Sequence, residues 1–376
     1  MTGQKEAASG LSTLALDSLH QRLGARFVEE RGVAVPGDYG DLAGETAALR
    51  ERHAVIDLSW AGRLELRGRD RHRFLNGLVT SNVKDLRPGQ GNYGFFLNQQ
   101  GRVLADVYTT ALDDRLWLEL PADCGEPLRR HLESYRVVDD VEVAGLDDMA
   151  LIGVLGPDAA AVLGDAAAAL ALDRSARMKV EGCEVQLTRR SVFGVRGFVL
   201  WVPSSLAEDI FVALTEAAQP VEAASSPTRK PSAPAAGIVA LDAHRAASGV
   251  ARFGVDFGAE TVANETGLVE QAIDFTKGCY LGQEIVARIF YKGKPSAPLM
   301  ALEVRGRPAA PEAPCSIRAI AETGAAEACG TLTTVTAGRA PAEWLGIGSV
   351  SRRALDHGRP LTLEGGGEVR VRERTS

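Results

Sequence analysis

Asp274-Phe275-Thr276-Lys277-Gly278-Cys279-Tyr280-Leu281-Gly282-Gln283-Glu284-Ile285-Val286-Ala287-Arg288 is the densest run of chemistry-bearing residues in the chain. Gly278 and Gly282 bracket Cys279, so the backbone there can turn sharply or approach a ligand closely. Lys277, two residues before the cysteine, is placed to favour the thiolate, the reactive form of the side chain. A helix beginning at Gly282 or Gln283 would set Glu284 and Arg288 one turn apart and turn Ile285, Val286 and Ile289 toward a core. A plainer reading stands beside this one. Most free cysteines are buried and inert, so spacing alone favours Cys279 as a small packed hydrophobe and Glu284–Arg288 as a surface pair.

Outward from this run, the 376 residues exceed one ordinary core and suit two or three domains. Apolar residues make up 45% and charged residues 24%, so a buried core is expected. The net charge of -7 argues against general binding to nucleic acid or anionic membranes; an anionic ligand would need a local basic pocket. No apolar run is long enough to span a membrane, and the start of the chain does not read as a signal peptide. Five widely spaced cysteines fit free thiols in a reducing compartment, hence a cytoplasmic protein. The six histidines are scattered and no C-x-x-C occurs, so no metal site is expected from this chain alone. A cluster shared with a partner through one cysteine stays open.

The patterning predicts α+β architecture. Up to about Gly44 it is weak. A helix is expected from Gly44 to His53, strands at 55–58 and 62–66, and a helix after Asp70, which can cap it. Strands at 93–97 and 103–110 flank the turn Asn98-Gln99-Gln100-Gly101, with another at 116–120 and a helix over 122–135. A second α+β half repeats that general plan, with a strand at 150–155, a helix over 158–172, strands at 185–188 and 198–202, and a helix over 206–217. Residues 218–236, rich in Pro, Ala and Ser, read as a mobile loop. Beyond Lys294, short apolar runs between Gly and Pro predict a small β module. Gly89-Gln90-Gly91-Asn92-Tyr93-Gly94 matches a dinucleotide-binding string, but it follows Arg87-Pro88 and leads into a strand, so a turn before a hairpin is the better reading.

Thr276-Lys277-Gly278-Cys279-Tyr280-Leu281-Gly282-Gln283-Glu284 resembles the signature of the YgfZ family, the iron–sulfur-maintenance relatives of the glycine-cleavage T-protein. Gly37-Asp38-Tyr39-Gly40, Val55-Ile56-Asp57-Leu58-Ser59, the runs at 75–82, 86–90 and 98–106, and Arg252-Phe253-Gly254-Val255-Asp256 are similar to the family's other blocks in the same order. The resemblance runs from about Gly37 to Lys294. It implies a T-protein-like three-domain cloverleaf around a channel that binds tetrahydrofolate. Residues 1–36 would be an N-terminal segment, 37–145 and 146–294 two related folate-binding halves, and 295–376 a C-terminal β-barrel.

It also implies roles. Cys279 would be the reactive thiolate, supported by Lys277. Asp106, Asn98, Tyr93 and Arg288 would bind the folate, Asp106 facing it and Arg288 reaching toward its glutamate tail. Two positions depart from the transferases of this fold: an Asp-Asp pair reads Ala105-Asp106, and an acidic residue of an Arg-x-Glu-x-Gly run is Ala247. Losing a carboxylate at a reacting amine or on the pterin edge weakens the case for transfer. The leading expectation is therefore a tetrahydrofolate-binding accessory in assembly or repair of iron–sulfur enzymes, with carrier or client proteins as partners. A folate-dependent aminomethyl or one-carbon transferase is the alternative.

Overall fold

Alternating apolar positions between Ala54 and Pro203 assemble into one ten-stranded antiparallel sheet in a computed structural model of the chain. The structure describes residues 14–180, 182–216, 234–307, 309–320, 324–338 and 340–374. A hairpin of β1 (Arg26–Glu30) and β2 (Val33–Asp38) precedes the sheet. The sheet strands are β3 (Ala54–Asp57), β4 (Gly62–Arg67), β5 (Gln90–Leu97), β6 (Val103–Ala111), β7 (Arg115–Leu120), β8 (Glu142–Gly145), β9 (Met149–Leu155), β10 (Arg174–Val180), β11 (Cys183–Val192) and β12 (Val195–Pro203). Their order is β3-β9-β12-β11-β10-β5-β6-β7-β4-β8.

That order is a repeat. Read inward from either edge, β9-β12-β11-β10 and β4-β7-β6-β5 have the same connectivity. The edge strands are exchanged: β3 precedes β4 in the chain yet pairs with β9, and β8 precedes β9 yet pairs with β4. The two halves meet along β5 and β10, where the register pairs only Arg174 with Gln90. Backbone bonds from Ser175 N to Gly89 O and from Gly91 N to Asp173 O, each 2.9 Å, complete the seam. Leu66, Leu75, Phe95 and Leu118 are among the apolar residues that fill one half, and Ile152, Val154, Leu187 and Phe211 fill the other.

The C-terminal module is a closed barrel of β13 (Leu299–Arg305), β14 (Cys315–Ile320), β15 (Ala326–Ala337), β16 (Glu343–Val350), β17 (Leu361–Leu363) and β18 (Glu368–Arg372), so none of its strands is left as an open edge. Helix Ile238–Ser248 joins it to the sheet body. Arg245 of that helix is 0% exposed. It bonds Asp256 at 2.5 Å and Asp242 at 2.6 Å, and reaches Thr334 on β15 at 3.1 Å. Asp256 also accepts bonds from the hydroxyls of Thr333 and Thr334, both at 2.6 Å.

Several expectations are corrected. The weakly patterned N-terminus forms helix Asp17–Arg22 and the β1–β2 hairpin. Both are too short to show a period, and a buried relay holds them down. Tyr39 donates to His20 Nδ1 (2.9 Å), whose Nε2 donates to Asp57 (3.0 Å) on β3. The helix expected over 158–172 is cut at Gly164, φ +87°, into Ala159–Leu163 and Asp165–Ala168. Asp70 does not cap its helix; its carboxylate accepts from Asp140 N instead. Strands β10, β14 and β17 lie where the alternation was too weak to read. Of the expected loop at 218–236, residues 218–233 lie outside the described residues. Residues 234–236 pair with β3: Val55 N donates to Pro234 O and Ala236 N to Val55 O, each 2.9 Å. Among the described residues no helix is long and apolar enough to cross a membrane.

Removing one partner of a buried ion pair leaves the other charge uncompensated. Arg245→Met is therefore expected to lower unfolding stability by about 3–5 kcal/mol, read by urea titration. A loss below about 1 kcal/mol, the value of a surface pair, would refute the anchoring role.

Candidate functional site

Alternation along β6 decides which side chains face the seam. Val103 and Ala105 are fully buried in the core with Phe95 and Phe96. Asp106, one residue on, lines a cavity of about 560 Å³ between the two halves, as does Tyr108. Tyr93 on β5 faces the same space, and its hydroxyl donates to Asp106 at 2.8 Å. Burial pushes the Asp106 carboxyl above the ordinary carboxylate value of 3.8, and the Tyr93 bond and the Arg252 charge pull against it.

A second tyrosine–aspartate pair stands beside the first. Tyr93 and Tyr108 are direct cross-strand partners, and the Tyr108 hydroxyl donates to Asp173 at 2.9 Å. The Arg190 guanidinium lies 4.4 Å from the centre of the Tyr108 ring and is paired with Glu119 of β7. Arg252 sits over Phe193 and Trp60, at 4.9 and 5.3 Å, and is paired with Glu30 and Asp242. Arg196 and Arg374 also line the wall and make no ion pair among the described residues. The cavity thus presents aromatic faces, carboxylate acceptors and cations together.

Ala105 points away from this wall, so a carboxylate there would enter the core and not the cavity. Its absence removes nothing from the seam, and the expectation that it weakens transfer is corrected to that extent. Ala247 is half-buried and outside the wall; its carbonyl accepts from Arg372.

The six residues singled out from sequence fall into three places. Tyr93 and Asp106 meet in the cavity. Asn98 shapes the β5–β6 turn, where its side chain accepts from Gln100 N and Arg102 N, both at 3.0 Å. The Cys279 segment docks on that turn. Gly282 has φ +81°, and a Cβ there would collide with Asn98 O, so only glycine fits. Helix Gln283–Lys292 starts at this glycine and carries Arg288, which is exposed and outside the wall. Cys279 is an exposed free thiol.

Lys277 is buried, and its ammonium donates to the carbonyls of Asn76, Val79 and Ser81 at 2.8, 2.6 and 2.6 Å. Burial drives its pKa down to about 7, against the pull of the Asp274 charge, and as an ammonium it can serve all three carbonyls with its three N–H donors. Among the described residues no group of three or more His, Cys, Asp or Glu is arranged to hold a metal. Tyr108, Asp173, Glu119 and Arg190 went unread in the sequence. Tyr108 was accessible from strand alternation, two residues from Asp106; Asp173 carries no motif.

The chain matches the model of the GCVT N-terminal domain over residues 16–277. It is 26% identical to the mitochondrial aminomethyltransferase of Dictyostelium discoideum over 70% of this chain and 66% of that protein. It is 27% identical to the aminomethyltransferase of Rubrobacter xylanophilus over 94% of this chain and 89% of that protein. The crystal structure of the glycine cleavage system aminomethyltransferase T from Bartonella henselae superposes with a TM-score of 0.80 at 22% identity, covering 96% of this chain and 97% of that one. The fold is thus T-protein-like, with the C-terminal β-barrel in place.

Lys277→Met would strand three buried carbonyls, at a cost of about 1–3 kcal/mol each when nothing replaces the bond. A clear fall in melting temperature is expected, with the pH profile of Cys279 alkylation unmoved. A shift of that profile upward by about one unit or more would instead identify Lys277 as the support of the thiolate.

Proposed function

The chain belongs to the family of the GCVT N-terminal domain, and from that membership we propose a folate-dependent transferase that moves a one-carbon unit between tetrahydrofolate and a small amine or carrier-bound aminomethyl group. The observation that carries this reading is Asp106 in the wall of the seam cavity, held by Tyr93 and facing inward. At about 560 Å³ the cavity is of the size small-molecule sites have, roughly 300–1,000 Å³. Trp60, Tyr108 and Phe193 offer faces for a flat heterocycle. Arg196, exposed and free of carboxylate partners among the described residues, suits the glutamate tail. It takes the role that the resemblance assigned to Arg288, whereas the Arg374 guanidinium is already bonded to the carbonyls of Gly267 and Leu299.

Transfer from a carrier-bound aminomethyl group to give methylenetetrahydrofolate forms two carbon–nitrogen bonds, at two folate nitrogens, and breaks the carbon's bonds to the departing amine and to the carrier. Each folate nitrogen gives up a proton, one of which goes to the leaving amine and the other to the carrier. Positive charge develops at the transferred carbon and at the attacking nitrogen. A fixed carboxylate in a partly dehydrated wall lowers the cost of that charge and can carry the proton. Tyr93 keeps Asp106 from rotating away.

The iron–sulfur accessory role is the second reading, and the exposure of Cys279 favours it: the thiol stands outside the cavity, open to a carrier or client protein. Under the transferase reading Cys279→Ala keeps full turnover. Under the accessory reading the same variant fails to restore iron–sulfur enzyme activities in a strain lacking the gene.

Asp106→Asn is expected to leave tetrahydrofolate affinity within a few-fold and to cut methylenetetrahydrofolate formation by about 10²–10⁴. The carboxylate must be ionised to act, and burial raises its pKa, so the wild-type rate should rise with pH through a midpoint above 3.8 and then level off. The asparagine variant should lose that acid limb. An unchanged rate in Asp106→Asn would remove Asp106 from the chemistry.

A further inference from the structure

Asp173 joins the end of helix Asp165–Ala168 to β10 and is tied to both halves of the sheet. Its N–H donates to Arg189 O on β11 at 2.8 Å, and its carbonyl accepts from Gly91 N on β5 at 2.9 Å. Its φ of +56° is left-handed, a conformation that glycine adopts without cost and that Asp and Asn tolerate better than other side chains. A turn alone would be served by glycine. Here a carboxylate is kept in that conformation and turned into the cavity. One oxygen accepts from Tyr108; the other has no hydrogen-bond donor among the described residues. Arg190, whose charge reaches Asp173, is already paired with Glu119. Asp173 therefore has an acceptor to offer a ligand.

We propose that Asp173 is the residue that selects the amino-pyrimidinone edge of a reduced pterin, accepting hydrogen bonds from its exocyclic amino group and adjacent ring N–H. This rests on the folate reading above and deepens it. Tyr108, which holds Asp173, stands two residues from Asp106 on β6, a rise of about 7 Å. In a pterin the amino edge and the reacting nitrogens lie on opposite sides of the bicycle. One carboxylate can serve each side: Asp106 the reacting nitrogens and Asp173 the amino edge. The same charge repels the carboxylates of the glutamate tail, so Asp173 also sets which way round the ligand enters.

The test compares tetrahydrofolate with its 2-desamino-2-methyl analogue, which lacks the amino donor, by calorimetry on the full chain. Wild type should prefer tetrahydrofolate by about tenfold or more, the range of a hydrogen bond to a charged acceptor. Asp173→Asn keeps the left-handed backbone and the Tyr108 bond but turns an NH₂ toward the ligand, and should abolish the preference. Asp173→Gly fits the same backbone and removes the side chain, so it serves if the asparagine variant does not fold. A preference that survives in either folded variant, or that wild type lacks, overturns the assignment. Failure of wild type to bind either ligand would overturn the folate reading itself, and the assignment with it.

Discussion

The buried bond between Arg245 and Asp256 is the constraint on which the placement of the cavity depends. A guanidinium and a carboxylate, both withdrawn from water, persist only when nearly every lone pair and N–H is used. Here Asp256 accepts from Arg245, from two threonines of the barrel and from the backbone N–H of Arg252. One carboxylate thus docks the barrel and fixes the start of the segment whose side chains Arg252 and Phe253 close the cavity. A shift of the barrel would be felt at the cavity wall through that single group.

The second constraint is the exchanged sheet. Each half lends its first strand to the other, so neither can close its sheet alone. Where the halves meet, the ladder thins to a single register pair and a few backbone bonds. A continuous ladder would pack the seam with apolar side chains. A thin one leaves space that polar side chains from both halves can line, and the two tyrosine–aspartate pairs stand there.

Much of this was legible from residues. The Cys279 segment pointed to the right fold, and one of its glycines is demanded by a close approach, Gly282 against the turn at Asn98. Tyr93 and Asp106 were legible because they lie on a strongly alternating hairpin. The burial of Lys277 was not legible, for a physical reason: a sequence shows that a lysine is near a cysteine in the chain but not that residues 76–81 turn three carbonyls toward its ammonium. Asn98 and Arg288 sit close in sequence to folate-binding patterns, yet strand direction and helix rotation carry them away from the wall. Position 105 looked like a lost catalytic carboxylate until alternation placed it in the core. Asp173 was invisible because its meaning comes from the seam, which only tertiary structure creates.

The charges in the cavity narrow the ligand beyond what shape can do. Arg190 and Arg252 are neutralised within the wall, by Glu119 and by Glu30 with Asp242. Asp106 and Asp173 are held by tyrosine hydroxyls, which satisfy one oxygen without cancelling the charge. Arg196 has no carboxylate partner among the described residues. A wall with uncancelled carboxylates and an uncancelled cation rejects a simple anion, which the first would repel, and a simple cation, which the second would repel. It accommodates a molecule with N–H donors at one end, carboxylates at the other and a flat ring system between. A reduced folate has that distribution, and under the proposed reading the separation of the two signs within the site is what offsets the chain's net charge of -7.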